Sequence, residues 1–591
     1  QNHRVMEIGA AKVEIPVHAR GIGMFGWGVP GNFVEGSATP ISARAFVLRV
    51  DAPANGEVPS GKAAAAARTQ TIALVSCELL AISLAVREAV HERLGRELPE
   101  LGLERRNVLL TATHTHSAPG GYSQYAFYAL EAPGFSPLIF NAIVGAIIEA
   151  IRQAAASLAP GMVRFACGTF GDDEDVAFNR SIASYNQNPE VEKLDQAHRH
   201  LGLDRRMRML RFDREDGCCI GEFNFFGVHG TSVHSDNRQV HFDNKGYAAA
   251  LLEADQGGNF IGAFAQGTTG DVTPNFKTHA GKPFVRGMYA DDDASAQFNG
   301  NLQFRKAAEV LKAAARTDPL GERLLARQHY SDLADIGIDP EFANGRSDLR
   351  TGPGELGMAM FFGTDEGPGM PRRLLFLQRI VAALRPFWRL VPHGHRVRDR
   401  RRRHDAAHGV KVSVMEMGRR SFLGFTNLRR LPTGKDASPA VRMIPKLDQH
   451  GLAEPKPWTP NILPAQLLVI GNLAIAAVPH ELTTIAGRRL ETMLKKELAG
   501  IGVEEVIVAG YANGYAGYVT TPEEYELQDY EGASTHFGQW TLPAWQTIFR
   551  SLAGEFSPDV PAGNSPEPLP PTFTAEDLEG RVWSVETPPA V

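Results

Sequence analysis

Short apolar runs and longer amphipathic stretches alternate through most of this chain. Residues 43–50, 71–76, 107–113, 208–212, 221–227, 260–264, 467–478 and 506–509 are nearly continuous runs of Val, Ile, Leu, Phe and Ala. Runs of this kind suit strands covered on both faces. Between them, residues 84–98, 140–156, 245–254, 304–315 and 484–498 repeat their apolar positions at the helical period. The alternation predicts an α/β fold, with mixed β-sheets flanked by helices in one large domain. No repeat of fixed period is present.

Three segments break the pattern. Residues 52–67, rich in Pro, Gly and Ala, predict a surface excursion between two strands. Residues 374–404 begin as an apolar helix, LLFLQRIVAALRPFWRL, and end in the basic run RVRDRRRRH. Two readings stay open for them. One is an interfacial helix making peripheral contact with an anionic membrane surface. The other is a packed helix followed by a solvated basic loop. Residues 557–571 are Pro-rich and predict an extended linker or wrapping arm. The expected organisation is one large domain over 1–555, with an apolar and basic insertion at 372–408, and a Pro-rich tail over 556–591.

Composition narrows the class. Hydrophobic residues make up 43% of the 591, enough for a large core, which excludes whole-chain disorder. Lys and Arg number 61 against 67 Asp and Glu, a net charge of −6 that argues against a dedicated nucleic-acid binder. No run of about 18 apolar residues is free of charge, so no membrane-spanning helix is predicted. The four cysteines, Cys77, Cys167, Cys218 and Cys219, form no C-x-x-C pair, which argues against a cysteine-based zinc site. A Cys77–Cys167 bridge stays open, as do oligomeric state and compartment. The chain opens at Gln1 with no basic and apolar leader, as either a removed signal peptide or a trimmed chain would leave it.

Candidate chemistry collects where strands end. Thr113-His114-Thr115-His116-Ser117 follows the run NVLLTAT, and two His at i and i+2 point to one side of an extended segment. Such a pair can put both imidazoles on one metal, or one on the metal and one beside it. A second group, His229 to His234, follows EFNFFG, and a third, His480-Glu481, follows LLVIGNLAIAA. Each alone is compatible with an ordinary packed histidine. Three at strand ends suit a site assembled from loops, as α/β proteins commonly build. The loop GTTGDVTPN at 267–275 can offer backbone N–H groups to an oxyanion, but lacks the lysine of a phosphate-binding loop. Asp271 within it is a candidate to orient a ligating His or to cap a turn.

These segments together resemble the neutral ceramidase family (neutral/alkaline, non-lysosomal ceramidases). The resemblance rests on THTHSAPGG, FNRS at 178–181, NFFGVHGTS at 224–232, DNKGYA at 243–248, GTTGDVTPN, VPHELTT at 478–484 and GYVTTPEEYELQDYEGAST at 517–535, in the family's order. It implies hydrolysis of the amide of an N-acyl lipid, ceramide above all, to a sphingoid base and a fatty acid by a water activated at one zinc ion. It places Zn2+ on His114, His229, Glu481 and Tyr518, with His116 beside it. Arg180, Tyr530 and Thr273 would line the head-group side. It also favours an exported protein, periplasmic or secreted. Three departures stand out. Thr273 replaces the family's usual Ser, VHGTS replaces VHPTS, and VPHE replaces VPGE, which makes His480 an extra group, either near the metal or at the surface. A further C-terminal β-sandwich, carried by many relatives, is expected to be missing or reduced. A smaller or more polar amide substrate, and a lipid-binding member without turnover, remain alternatives.

Overall fold

The protein is described by a computed structural model over residues 6–17, 20–29, 32–51, 69–130, 132, 134–370, 375–388, 395–418, 421–422, 456–557 and 567–579. The larger sheet has eight strands: Glu7–Glu14 (β1), Ser42–Asp51 (β2), Thr69–Cys77 (β3), Val108–Ala112 (β4), Ala159–Thr169 (β5), Arg206–Arg214 (β6), Cys219–Phe225 (β7) and Ile261–Ala265 (β8). Their order is β8-β7-β6-β5-β1-β2-β3-β4. The pairs β3/β4 and β7/β8 are parallel and the remaining neighbours antiparallel, so the sheet is mixed. The smaller sheet runs Leu324–Asp332 (β9), Ile462–Ile470 (β10), Leu473–Ala477 (β11) and Glu505–Ala509 (β12), with only β11/β12 parallel.

The two sheets face each other, and both faces of the central strands are apolar for that reason. In β2, Phe46, Leu48 and Val50 share one core with Leu468, Ile470, Leu473 and Ile475 of the smaller sheet. The alternate residues Ala43, Ala45 and Val47 face helices Leu84–Glu97 (α1) and Pro137–Ala156 (α2). Helices Asp243–Gln256 (α3) and Asp292–Ala314 (α4) cover the β6–β8 half of the same outer face. Phe376–Trp388 (α5) and His395–His408 (α6) follow, and Thr484–Leu498 (α7) with Thr541–Gly554 (α8) cover the smaller sheet. The layers are helix, sheet, sheet, helix, an α/β architecture with period-2 burial at its centre. Helix α2 is long and apolar enough to cross a membrane, yet half of it is buried and it packs on β1 and β2.

Several expectations change. The run at 467–478 is a hairpin, because Gly471 adopts φ +60° and turns the chain between β10 and β11 with Asn472. This Gly-Asn pair is a legible two-residue turn signal. Helix α4 begins twelve residues before the predicted 304, where Asp291 accepts from the Ala294 amide as its cap. The half-exposed strands β1, β5 and β9 carry too few apolar residues to register as buried runs. The basic run is the helix α6 and not a loop. Cys77 and Cys167 are unpaired. In the tail, Phe573 packs edge-on against Tyr125 and Asp577 pairs with Lys456 at 2.6 Å, so its described part lies on the body. The excursion expected at 52–67 lies outside the described residues.

Candidate active site and metal centre

The sequence candidates converge at the C-terminal ends of strands from both sheets. His114 lies two residues beyond β4 and adopts φ +67°, a conformation costly for a residue with a Cβ. His229 lies four residues beyond β7, and Glu481 four beyond β11. A parallel bridge between Thr115 and Gly230 joins the two His loops. A Cβ at residue 230 would sit 2.4 Å from the His114 carbonyl, so glycine permits this approach. Glu481 and Tyr518 are in-register partners in a two-residue parallel pair, which sends both side chains to one side.

Hydrogen bonds orient the imidazoles. Nδ1 of His114 meets the Leu80 carbonyl at 2.7 Å, and Nδ1 of His229 meets the Val272 carbonyl at 2.8 Å. A carbonyl only accepts, so in each neutral ring the proton sits on Nδ1 and Nε2 carries a lone pair. The two Nε2 atoms converge on a carboxylate. His114 Nε2 lies 3.6 Å from Oε1 of Glu481, and His229 Nε2 lies 3.1 Å from Oε2 with no hydrogen-bond partner. His116 Nε2 sits 3.0 Å from His114 Nε2. His114, His116 and His229 form a buried cluster able to hold a metal ion. Burial lowers the His114 pKa to about 3, so its ring is not a cation that could satisfy Glu481. Burial works against ionisation of Glu481, and the Tyr515 hydroxyl that donates to it works the other way. The donor set gathered in this dry site, imidazole nitrogen and carboxylate oxygen, suits a cation such as zinc. Tyr511 and Tyr515 donate their hydroxyls to Glu481, and the Tyr511 ring stacks on His114 at 4.0 Å.

A second polar group stands beside the first. Arg180 donates from Nε to Glu531 at 2.9 Å, from Nη1 to Glu366 at 2.6 Å, and from Nη2 to the Gly270 carbonyl and the Tyr518 hydroxyl. Burial opposes its charge, yet Tyr518, Glu531 and Glu366 keep it firmly protonated. Burial and Glu481 push the Tyr518 hydroxyl well above its usual pKa, while Arg180 pulls the other way. The Tyr530 ring lies under the Arg180 guanidinium and edge-on to Tyr518. Glu366 is buried, but Arg180 and His229 lower its pKa to about 2. It also accepts from Thr273 and, at 2.8 Å, from Asn275.

The cavity between these groups is lined by His114, His116, His229, Glu481, Tyr518, Arg180, Tyr530 and Glu366. Aromatic and apolar walls from Phe25, Trp27, Phe127, Tyr128, Leu356 and Met360 close it. Thr273 does not line it, since it stands behind Glu366 and spends its hydroxyl there. Asp271 orients no histidine; it accepts from the backbone and hydroxyl of Thr484 and caps the start of α7. His480 is neither part of the histidine cluster nor at the surface. It is fully buried against Trp545, with Nδ1 on the Gly517 carbonyl. Sequence reasoning missed Glu366, Glu531, Tyr511 and Tyr515. The Tyr-Gly spacing of GYANGYAGY after β12 is a signal for the two tyrosines, whereas Glu366 sits in an unmarked turn.

Comparison with known proteins gives the family. The sequence profile described as "Neutral/alkaline non-lysosomal ceramidase, N-terminal" matches residues 6–427 and 441–547. The chain is 32% identical over 563 residues to the neutral ceramidase of Pseudomonas aeruginosa, spanning 94% of this chain and 73% of that protein. It is 30% identical over 609 residues to neutral ceramidase A of Dictyostelium discoideum, spanning 96% and 76%. The crystal structure of the Pseudomonas aeruginosa neutral ceramidase superposes with a TM-score of 0.73 at 28% identity, over 97% of this chain and 78% of that one. On this match across nearly its whole length, the chain belongs to the neutral/alkaline non-lysosomal ceramidase family.

Proposed function

We propose that this protein hydrolyses the amide bond of an N-acyl lipid, ceramide in the first place, at a zinc site formed by His114, His229, Glu481 and Tyr518. The observation that carries the reading is the convergence of the Nε2 atoms of His114 and His229 on the Glu481 carboxylate, with each Nδ1 held on a backbone carbonyl. The chemistry that a bound zinc supplies is Lewis acidity, which polarises a carbonyl and acidifies a water. The remaining roles fall to the chain. His116 Nε2 faces the cluster, and its buried Nδ1 has no partner. It takes the proton of the attacking water and returns it to the amide nitrogen as the C–N bond breaks. Tyr530 and the Arg180–Glu366 pair stand where the head group enters, and Thr273 and Asn275 hold Glu366 in place. The apolar walls favour an acyl chain over a small polar amide.

The deciding experiment is a substrate panel of ceramides and short polar N-acyl amides, assayed with and without a chelator. Release of fatty acid and sphingoid base from ceramide, abolished by chelation and restored by zinc, is expected. Turnover confined to the short polar amides would overturn the lipid assignment, and full activity without metal would overturn the zinc site.

A further inference from the structure

Helix α5 turns an apolar face to solvent. Phe376, Ile380 and Leu384, spaced i, i+4 and i+8, share one face, and they are 53%, 46% and 42% exposed. Arg379 is exposed beside them. The polar Gln378 instead turns to the body and donates to the Gln528 carbonyl at 3.2 Å. A surface helix of a soluble domain normally buries its apolar stripe. Four of the ten exposed large apolar side chains among the described residues fall between Met370 and Leu384.

Two observations say what this face meets. The first is position. Residues from Met360 to Pro368 line the active-site cavity, and the chain passes the exposed Met370 directly before α5. The Gln378 contact ties the helix to the turn before Tyr530, which lines the same cavity. The second is charge. Nine arginines lie between 379 and 403 against one acid, Asp399, in a chain whose net charge is −6. Arg402 and Arg403 are exposed on α6. An apolar stripe followed by concentrated positive charge complements a bilayer bearing anionic head groups, with the apolar residues entering the acyl boundary.

We propose that the outward face of α5 docks on an anionic lipid surface and presents the cavity mouth to it. The choice of occupant rests on the lipid-amide reading above; the exposure and charge do not. The test is flotation of the full chain with phosphatidylcholine vesicles, with and without phosphatidylglycerol, beside the variant Phe376→Ser/Ile380→Ser/Leu384→Ser. All three positions are exposed, so the variant keeps its fold. The wild type is expected to float with the anionic vesicles, less so as salt is raised. The variant is expected to bind them at least about tenfold more weakly while cleaving a dispersed short-chain N-acyl amide at the wild-type rate. Equal flotation of the two proteins, or no flotation of the wild type, would overturn the proposal. So would a wild-type dimer that the variant dissociates without any vesicle binding, since the face would then belong to a second copy. Vesicle binding as expected, in a protein that cleaves no amide, would leave the docking standing and remove the amidase reading.

Discussion

Glu366 shows how much one side chain can organise. It gathers Arg180, Thr273 and Asn275 on a carboxylate inside the cavity wall. Glu366→Gln replaces an ion-pair partner with a neutral amide and leaves Arg180 partly uncompensated. We expect kcat/KM to fall by about 10- to 100-fold, with metal content unchanged. Its folded pKa of about 2 lies below the unfolded value near 4.5, so its contribution is present above pH 4.5 and lost as pH falls towards 2. That contribution is on the order of 3 kcal/mol, and acid titrations of stability should lose part of their slope in this window in the variant. Thr273→Ser should retain activity within a few-fold, because only the hydroxyl contacts Glu366, whereas Thr273→Val should not. His116→Ala is expected to keep the metal and lose turnover; His114→Ala is expected to lose both, as metal analysis beside kinetics would show. The histidines were legible because H-x-H after a strand is locally visible. Glu366 was not, because its meaning lies in partners 91 and more residues away.

Loops and caps deliver these side chains. Gly230 passes so close to the His114 carbonyl that Gly230→Ala should spread the two His loops and weaken metal binding, measurable by competition with a chelating dye. Asp271 anchors α7 three residues after Glu481, and Asp271→Ala should cost about 1–2 kcal/mol in denaturant unfolding. Burial raises the pKa values of Asp271 and Glu524, with Glu531 adding to the first and Asp271 to the second. The folded state therefore holds these protons more tightly than the unfolded chain, and this pair's contribution declines as pH rises above the unfolded carboxylate range. Element types were largely readable from apolar runs, and boundaries less so. The half-exposed strands β1, β5 and β9 alternate with solvent-facing residues and carry a weaker signal than β2 or β10.

Across the molecule, the candidate metal site joins the two sheets, with His114 and His229 from the larger and Glu481 from the smaller. An ion bound there stabilises only the folded arrangement. Chelation should lower the thermal midpoint by several degrees, and Glu481→Gln should abolish that difference in differential scanning fluorimetry. The alternation of buried strands and amphipathic helices, the family motifs and the metal-type residues could all be read from the chain, because each is a local pattern. Which face of β2 meets a helix and which meets the other sheet could not, since both faces are equally apolar. Nor could the burial of His480, the withdrawal of Thr273 behind Glu366, or the outward turn of α5. Each depends on what lies across a gap of many residues, and only packing brings those groups within hydrogen-bonding reach.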